Sequence, residues 1–190
     1  MRKIVLSAIV ASSLAIVGMQ AAPYKIDVSH SAINFKIGHM VVANVNGNFA
    51  KFSGNVDIDP KAKTLTKLDG EIDITSINTR DEERDGHLLG DAYFDAGTYP
   101  KGMLKATKIT KAKNGIRVEA DLTLRGVTKK VIFTGELKGP AQHPMLKKEI
   151  FGLTLQATIN RKDFNIGKDT SGATMGESVD ISINLELHPQ

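Results

Sequence analysis

Alternation dominates this chain. From residue 179 onward, Val179, Ile181, Ile183, Leu185 and Leu187 occupy every second position, with Asp180, Ser182, Asn184 and Glu186 between them. Successive side chains of an extended strand point to opposite faces, so this spacing predicts a strand with one buried face. The same period runs through Ile33, Phe35, Ile37 and His39, and through Val118, Ala120, Leu122 and Leu124. It continues in Val131, Phe133, Gly135 and Leu137, and in Phe151, Leu153, Leu155, Ala157 and Ile159. Turn signals separate the runs. Asn114-Gly115 predicts a two-residue hairpin turn of the I′ kind, because both residues tolerate positive φ; Arg125-Gly126 and Asp59-Pro60 are weaker versions. Roughly eight to ten strands joined by short turns predict an all-β sandwich or antiparallel β-barrel, the size range in which a closed barrel can hold an interior ligand.

One segment departs from period two. Thr79 followed by Glu82 is a capping-box pattern, and Gly90 suits a helix stop, so a short helix is expected around residues 80–90. Its Leu88 and Leu89 should face the protein and its charges the water. Residues 139–148, with Pro140 and Pro144, and the Gly/Ser/Thr-rich residues 167–177 carry no regular pattern; both are expected as mobile rims of an opening. No repeat or linker divides the chain, which predicts one domain over residues 22–190.

The N-terminus reads differently. Arg2 and Lys3 precede a mostly apolar stretch from Ile4 to Val17, and Gly18, Met19, Gln20, Ala21 and Ala22 follow. That is the layout of a cleaved signal peptide over residues 1–21, too short for a membrane span of about 20 residues, and it predicts export to the periplasm. The chain has no cysteine. Disulfides, thiol nucleophiles, Cys-based zinc sites and a lipidated N-terminal cysteine are thereby excluded, so no stable membrane anchor is expected. Without Arg2 and Lys3, 23 basic residues face 21 acidic ones. The lysines are scattered and aromatics are only 5% of the chain, which argues against nucleic acid as a partner.

Motifs for chemistry are sparse. No Gly-x-Ser-x-Gly string occurs, and Gly167–Gly172 is followed by Ala173-Thr174 where a phosphate loop needs Lys-Ser/Thr. The five histidines (His30, His39, His87, His143, His188) form no i, i+2 or i, i+4 pair. A site assembled in space from His30, His39 and His87 is conceivable, but buried or rim histidines held by hydrogen bonds are the simpler reading. Asp81, Glu82, Glu83 and Asp85 read most simply as a solvated helix face with Glu–Arg pairing. What remains is an interior. Phe35, Ile37, Phe49, Leu122, Phe133, Leu153, Leu155 and Ile183 are expected on the inward face of a closed barrel. Periodicity leaves open whether they fill it or line a tunnel.

Longer strings are recognisable. Tyr24-Lys-Ile-Asp27-Val-Ser-His30-Ser31-Ala-Ile33-Asn-Phe35-Lys-Ile-Gly-His39 is followed by Gly47-Asn-Phe49 and Phe52-Ser-Gly54. Then come Ser76-Ile77-Asn-Thr79, Arg84-Asp85-Gly-His87-Leu88, Phe94-Asp95 and Tyr99-Pro100, and later Leu122-Thr-Leu124-Arg-Gly126-Val-Thr128-Lys129 and Arg161-Lys-Asp163-Phe164. In this order they closely resemble the YceI-like family, from about Tyr24 to the C-terminus. The resemblance implies a lipocalin-like, elongated barrel with a helical segment at one side. It also implies a periplasmic or secreted protein that binds polyisoprenoid or similar long-chain lipids, with no established enzymatic activity and often homodimeric. The family's usual Arg-x-Asp-Phe-Gly string ends here in Asn165, which tolerates the left-handed conformation but adds a polar side chain.

The leading expectation is a carrier that holds a polyisoprenoid or acyl lipid in an apolar tunnel and needs no cofactor or metal. His39, Lys129, Arg161 and Asn165 are the expected polar mouth, able to hydrogen-bond a quinone, amide or prenyl phosphate head. Two alternatives stand beside it. An enzyme acting at the barrel mouth would need His39, His87 and Asp85 to converge. A stress-response or redox interaction module would have a filled barrel.

Overall fold

A computed structural model describes residues 21–190, so residues 1–20 of the expected signal peptide lie outside the described residues. The chain runs β1 (Ala22–His39), β2 (Ala43–Phe49), β3 (Phe52–Asp59), β4 (Thr64–Asp73), the short β5 (Ile77–Asn78) and helix α1 (Glu82–Leu89). It continues through β6 (Lys101–Ala112), β7 (Gly115–Leu124), β8 (Val127–Gln142), β9 (Glu149–Asn160) and β10 (Met175–Pro189). All pairings are antiparallel, in the order β10-β9-β8-β7-β6-β4-β3-β1-β2-β5, and β10 also pairs with β1. That last ladder closes eight strands into a barrel and leaves β2 and β5 as a flap on β1. The expected lipocalin-like β-barrel with one short helix is the observed fold.

Strand β1 reaches so far because it serves two neighbours. Its Ala22–Tyr24 end pairs with β3, and Ile33–His39 pairs with β2. Along the seam with β10, β1 advances from Asp27 to Ala32 while β10 advances only from Glu186 to Asn184. Val28–Ser31 therefore bulge outward, and the Ser31 hydroxyl accepts the Glu186 N–H at 2.9 Å in place of a ladder partner. Alternation cannot foresee such an interruption, and it leaves Val28 61% exposed.

The turns correct three expectations. Arg125 (φ 46°) and Gly126 (φ 71°) form the two-residue turn with both φ positive, joining Leu124 to Val127. At the other hairpin Ala112 pairs with Gly115, so Lys113 and Asn114 make the turn and neither has positive φ. Gly115 is needed because a Cβ there would lie 2.0 Å from the Gly135 carbonyl oxygen. Helix α1 is capped by Asp81, whose carboxylate accepts the Arg84 N–H at 3.1 Å, and not by Thr79. Thr79 is buried (3% exposed) and binds Asp85 instead. Finally, β8 continues through Pro140 to Gln142, so the irregular segment expected at 139–148 shrinks, and Ala141 pairs with Ile150 away from the cavity.

The interior has two halves. Tyr24, Val56, Ile58, Leu65, Val118, Phe151, Leu153, Leu155 and Leu187 are buried against one another and fill one end of the barrel. Tyr24 meets Phe151 edge-on at 5.5 Å between ring centroids. Along β10, Leu187 belongs to this packed end, while Leu185, Ile183, Ile181 and Val179 step into a cavity at the other.

Candidate functional site

The hollow end encloses a cavity of about 460 Å³. Inward residues of β1, β3, β4, β7 and β10 form its walls, Phe133 of β8 and Ile159 of β9 join them, and α1 with the following loop covers its side through Leu88, Tyr93 and Phe94. A chain of rings runs through it: Phe35 and Phe49 are 5.7 Å apart, and Phe49 meets Phe94 edge-on at 6.0 Å. Phe35 can lie flat across β2 only because Gly47 is opposite; a Cβ there would be 2.3 Å from the Phe35 ring.

Six of the eight expected lining residues, Phe35, Ile37, Phe49, Leu122, Phe133 and Ile183, border the cavity. Leu153 and Leu155 share the inward parity but belong to the packed end, at 1% and 0% exposure, and do not reach the cavity. Their ladder partners on β10, Leu185 and Ile183, do border the cavity, so the difference is not one of level along the barrel: at this level the β9 side is packed and the β10 side is open.

The expected polar mouth divides. His39 borders the cavity and is exposed. Lys129 is exposed on the part of β8 that pairs with β7 but not with β9, and it does not border the cavity. Asn165 caps the short 3₁₀ turn Arg161–Phe164 in the left-handed conformation (φ 58°), so the turn survives the loss of glycine. Its side chain is exposed on an outer cleft with Asp91, Asp95 and Arg125, not on the main cavity.

Arg161 needs a larger correction. It borders the cavity as expected, but it is 1% exposed and every guanidinium nitrogen is engaged by backbone carbonyls. Nε donates to Gly176 at 2.9 Å; Nη1 donates to Ile166 at 2.9 Å and to Gly167; Nη2 donates to Thr170 and Met175, both at 2.9 Å. A guanidinium carries five N–H donors, so none is left for a ligand head. Burial pulls its pKa below the ordinary arginine value, and the carbonyl dipoles, aided by Glu177 nearby, hold the charge. Arg161 fastens the 165–175 loop to the barrel end.

Other groups at the mouth come from α1. Asp81, Glu83, Arg84 and His87 border the opening, with Thr170 and Thr174 from the loop before β10. Asp85 accepts the Thr79 N–H (2.9 Å) and hydroxyl (2.6 Å), and Arg84 donates to the Thr79 hydroxyl and carbonyl oxygens, both at 2.8 Å. This knot ties α1 to β5. The Arg84-Asp85-Gly-His87-Leu88 string was the signal for these mouth residues, which periodicity alone passes over because a short polar helix looks solvated. No hydrogen bond joins His39, His87 and Asp85 among the described residues, and the Asp85 carboxylate is held by Thr79.

A closed antiparallel barrel, packed at one end and hollow and apolar at the other, defines a lipocalin-like cavity protein. The YceI-like domain model matches residues 24–187, and the chain belongs to that family. Protein YceI of Escherichia coli is 34% identical over 168 residues, covering 87% of this chain and 86% of that one. The crystal structure of a Campylobacter jejuni YCEI protein is 33% identical with a TM-score of 0.74, covering 88% of this chain and 98% of that one. A polyisoprenoid binding domain from Saccharophagus degradans shares the fold at 18% identity and a TM-score of 0.63, covering 90% of this chain and all of that one.

Proposed function

We propose that this protein is an exported, periplasmic carrier or reservoir for a long polyisoprenoid or related acyl lipid, held in the hollow half of the barrel. One observation carries the reading: a predominantly apolar cavity of about 460 Å³, inside the range of small-molecule sites. Each CH₂ removed from water contributes about 0.8 kcal/mol, so a five-carbon isoprene unit contributes on the order of 3–4 kcal/mol before ordering costs. A few units give useful affinity without any buried charge. His39, Arg84 and His87 are the groups suited to a quinone, amide or phosphate head. The ligand named for the Saccharophagus degradans domain supports this class, and the basic and apolar segment from Arg2 to Val17 supports export. Binding is favoured over catalysis because Asp85, the carboxylate that an enzyme at the mouth would set against His39 and His87, is committed to Thr79.

Native mass spectrometry of the protein released gently from the periplasm tests the reading. An added mass matching a prenyl or acyl lipid is expected, together with loss of that mass in Leu122→Trp, which fills the cavity. Bare polypeptide that also fails to take up added prenyl lipid overturns it.

A further inference from the structure

On the outer face of the packed end, far along the barrel from the mouth, imidazoles and carboxylates converge across the β1–β10 seam. Asp27 and Glu186 are ladder partners with outward side chains, and His188 lies two residues beyond Glu186 on the same face. Ligand atoms of Asp27, Glu186 and His188 all lie within 4.8 Å of one another. The bulge in β1 brings His30 back over this group. His30 Nδ1 is 2.9 Å from Asp27 Oδ2 and 3.9 Å from Glu186 Oε1; His188 Nε2 is 2.8 Å from Glu186 Oε1 and 3.8 Å from Asp27 Oδ2.

These spacings carry a chemical meaning. Nitrogen and carboxylate ligands sit about 2.0–2.1 Å from zinc, so a tetrahedron of them has edges of about 3.3–3.4 Å. Four of the six edges of such a tetrahedron, the imidazole–carboxylate ones at 2.8, 2.9, 3.8 and 3.9 Å, lie on either side of that value. Neither Asp27 nor Glu186 forms an ion pair with lysine or arginine among the described residues; their charge partners are the two imidazoles. Two nitrogens with two carboxylates suit zinc and its borderline neighbours, whereas calcium and magnesium require an oxygen shell. The four side chains are reachable from solution, with His30 65% exposed and His188 18% exposed. The His143 ring lies tilted beside that of His188, 5.6 Å between centroids, but its Nδ1 accepts the Met145 and Leu146 N–H groups, which makes it a flank and not a ligand.

We propose that Asp27, His30, Glu186 and His188 form a divalent transition-metal site of the zinc class. The ion joins the first strand to the last at the interrupted part of the seam that closes the barrel. This site is separate from the lipid cavity and does not depend on what occupies it.

The test uses the mature protein stripped with a chelator and titrated calorimetrically with Zn²⁺, alongside Co²⁺ as a spectroscopic probe. One equivalent at micromolar or tighter affinity is expected, with the visible bands of tetrahedral Co²⁺ and a rise in thermal midpoint on Zn²⁺ addition. His188→Gln and His30→Ala should each weaken binding at least tenfold, and His87→Ala should leave it unchanged. Circular dichroism of each variant checks that it is folded; if His188→Gln fails that check, His30→Ala and the loss of the Co²⁺ bands decide. Absence of stoichiometric binding, or binding unchanged in folded His188→Gln or His30→Ala, overturns the proposal.

Discussion

Arg161→Lys separates two roles that a basic residue at a barrel end can play. If Arg161 greeted the ligand head, lysine would keep the charge, leave stability intact and alter only affinity. Its five bonds to the carbonyls of Ile166, Gly167, Thr170, Met175 and Gly176 argue for a fastening role. Lysine has three donors, so at least two buried carbonyls lose their partner. Each unsatisfied group costs about 1–3 kcal/mol, giving a total of about 2–6 kcal/mol. A lysine ammonium is also more strongly hydrated and harder to bury than a guanidinium, which adds to the cost. The total is a large part of the roughly 5–15 kcal/mol that holds a domain together. Urea unfolding followed by circular dichroism should show the midpoint falling by about 1–3 M. A change under about 0.5 M, with lipid retention lost, would refute the fastening role.

Three further outcomes are expected. Leu155→Ala in the packed end should cost about 2–5 kcal/mol by urea unfolding and leave lipid retention intact; Ile181→Ala, which faces the cavity, should cost only roughly 1 kcal/mol and change retention. Val41 holds a left-handed backbone (φ 62°) at 85% exposure, so Val41→Gly should stabilise by about 1 kcal/mol, read as a raised thermal midpoint. Asp180, bonded to the Thr158 hydroxyl and paired with Lys36 at 3.0 Å across the seam, has its pKa held below the usual carboxylate value. Its stabilisation is therefore complete above about pH 4 and lost as pH falls through the depressed value. Asp180→Asn should flatten that part of the acid unfolding curve; an unchanged acid limb would contradict the assignment.

Period two revealed the inward faces of β7, β9 and β10, because each of these strands buries one face over most of its length. It could not tell Leu155 from Ile181. Both point inward, and only the arrangement of Tyr24, Ile58, Val118 and Phe151 across the barrel decides which meets a partner and which meets a void. The bulge at Val28–Ser31 was equally hidden, since the surplus residues become visible only against the register of β10. Arg161 looked like a rim residue because its partners are backbone carbonyls, which no side-chain pattern records. The helix was legible, yet the Thr79/Glu82 pattern pointed to the wrong cap. Asp81, a better capping residue, stood two positions later, and Thr79 was already held by Asp85.

The division of the barrel into a solid end and a vacant one has an evolutionary consequence. Residues such as Leu153 and Phe151 bear the burden of folding, while Ile37, Val179 and Ile181 are free to drift in size without endangering it. A lineage can thus reshape the vacancy by trading side chains around it, with the opposite end serving as an unchanging foundation.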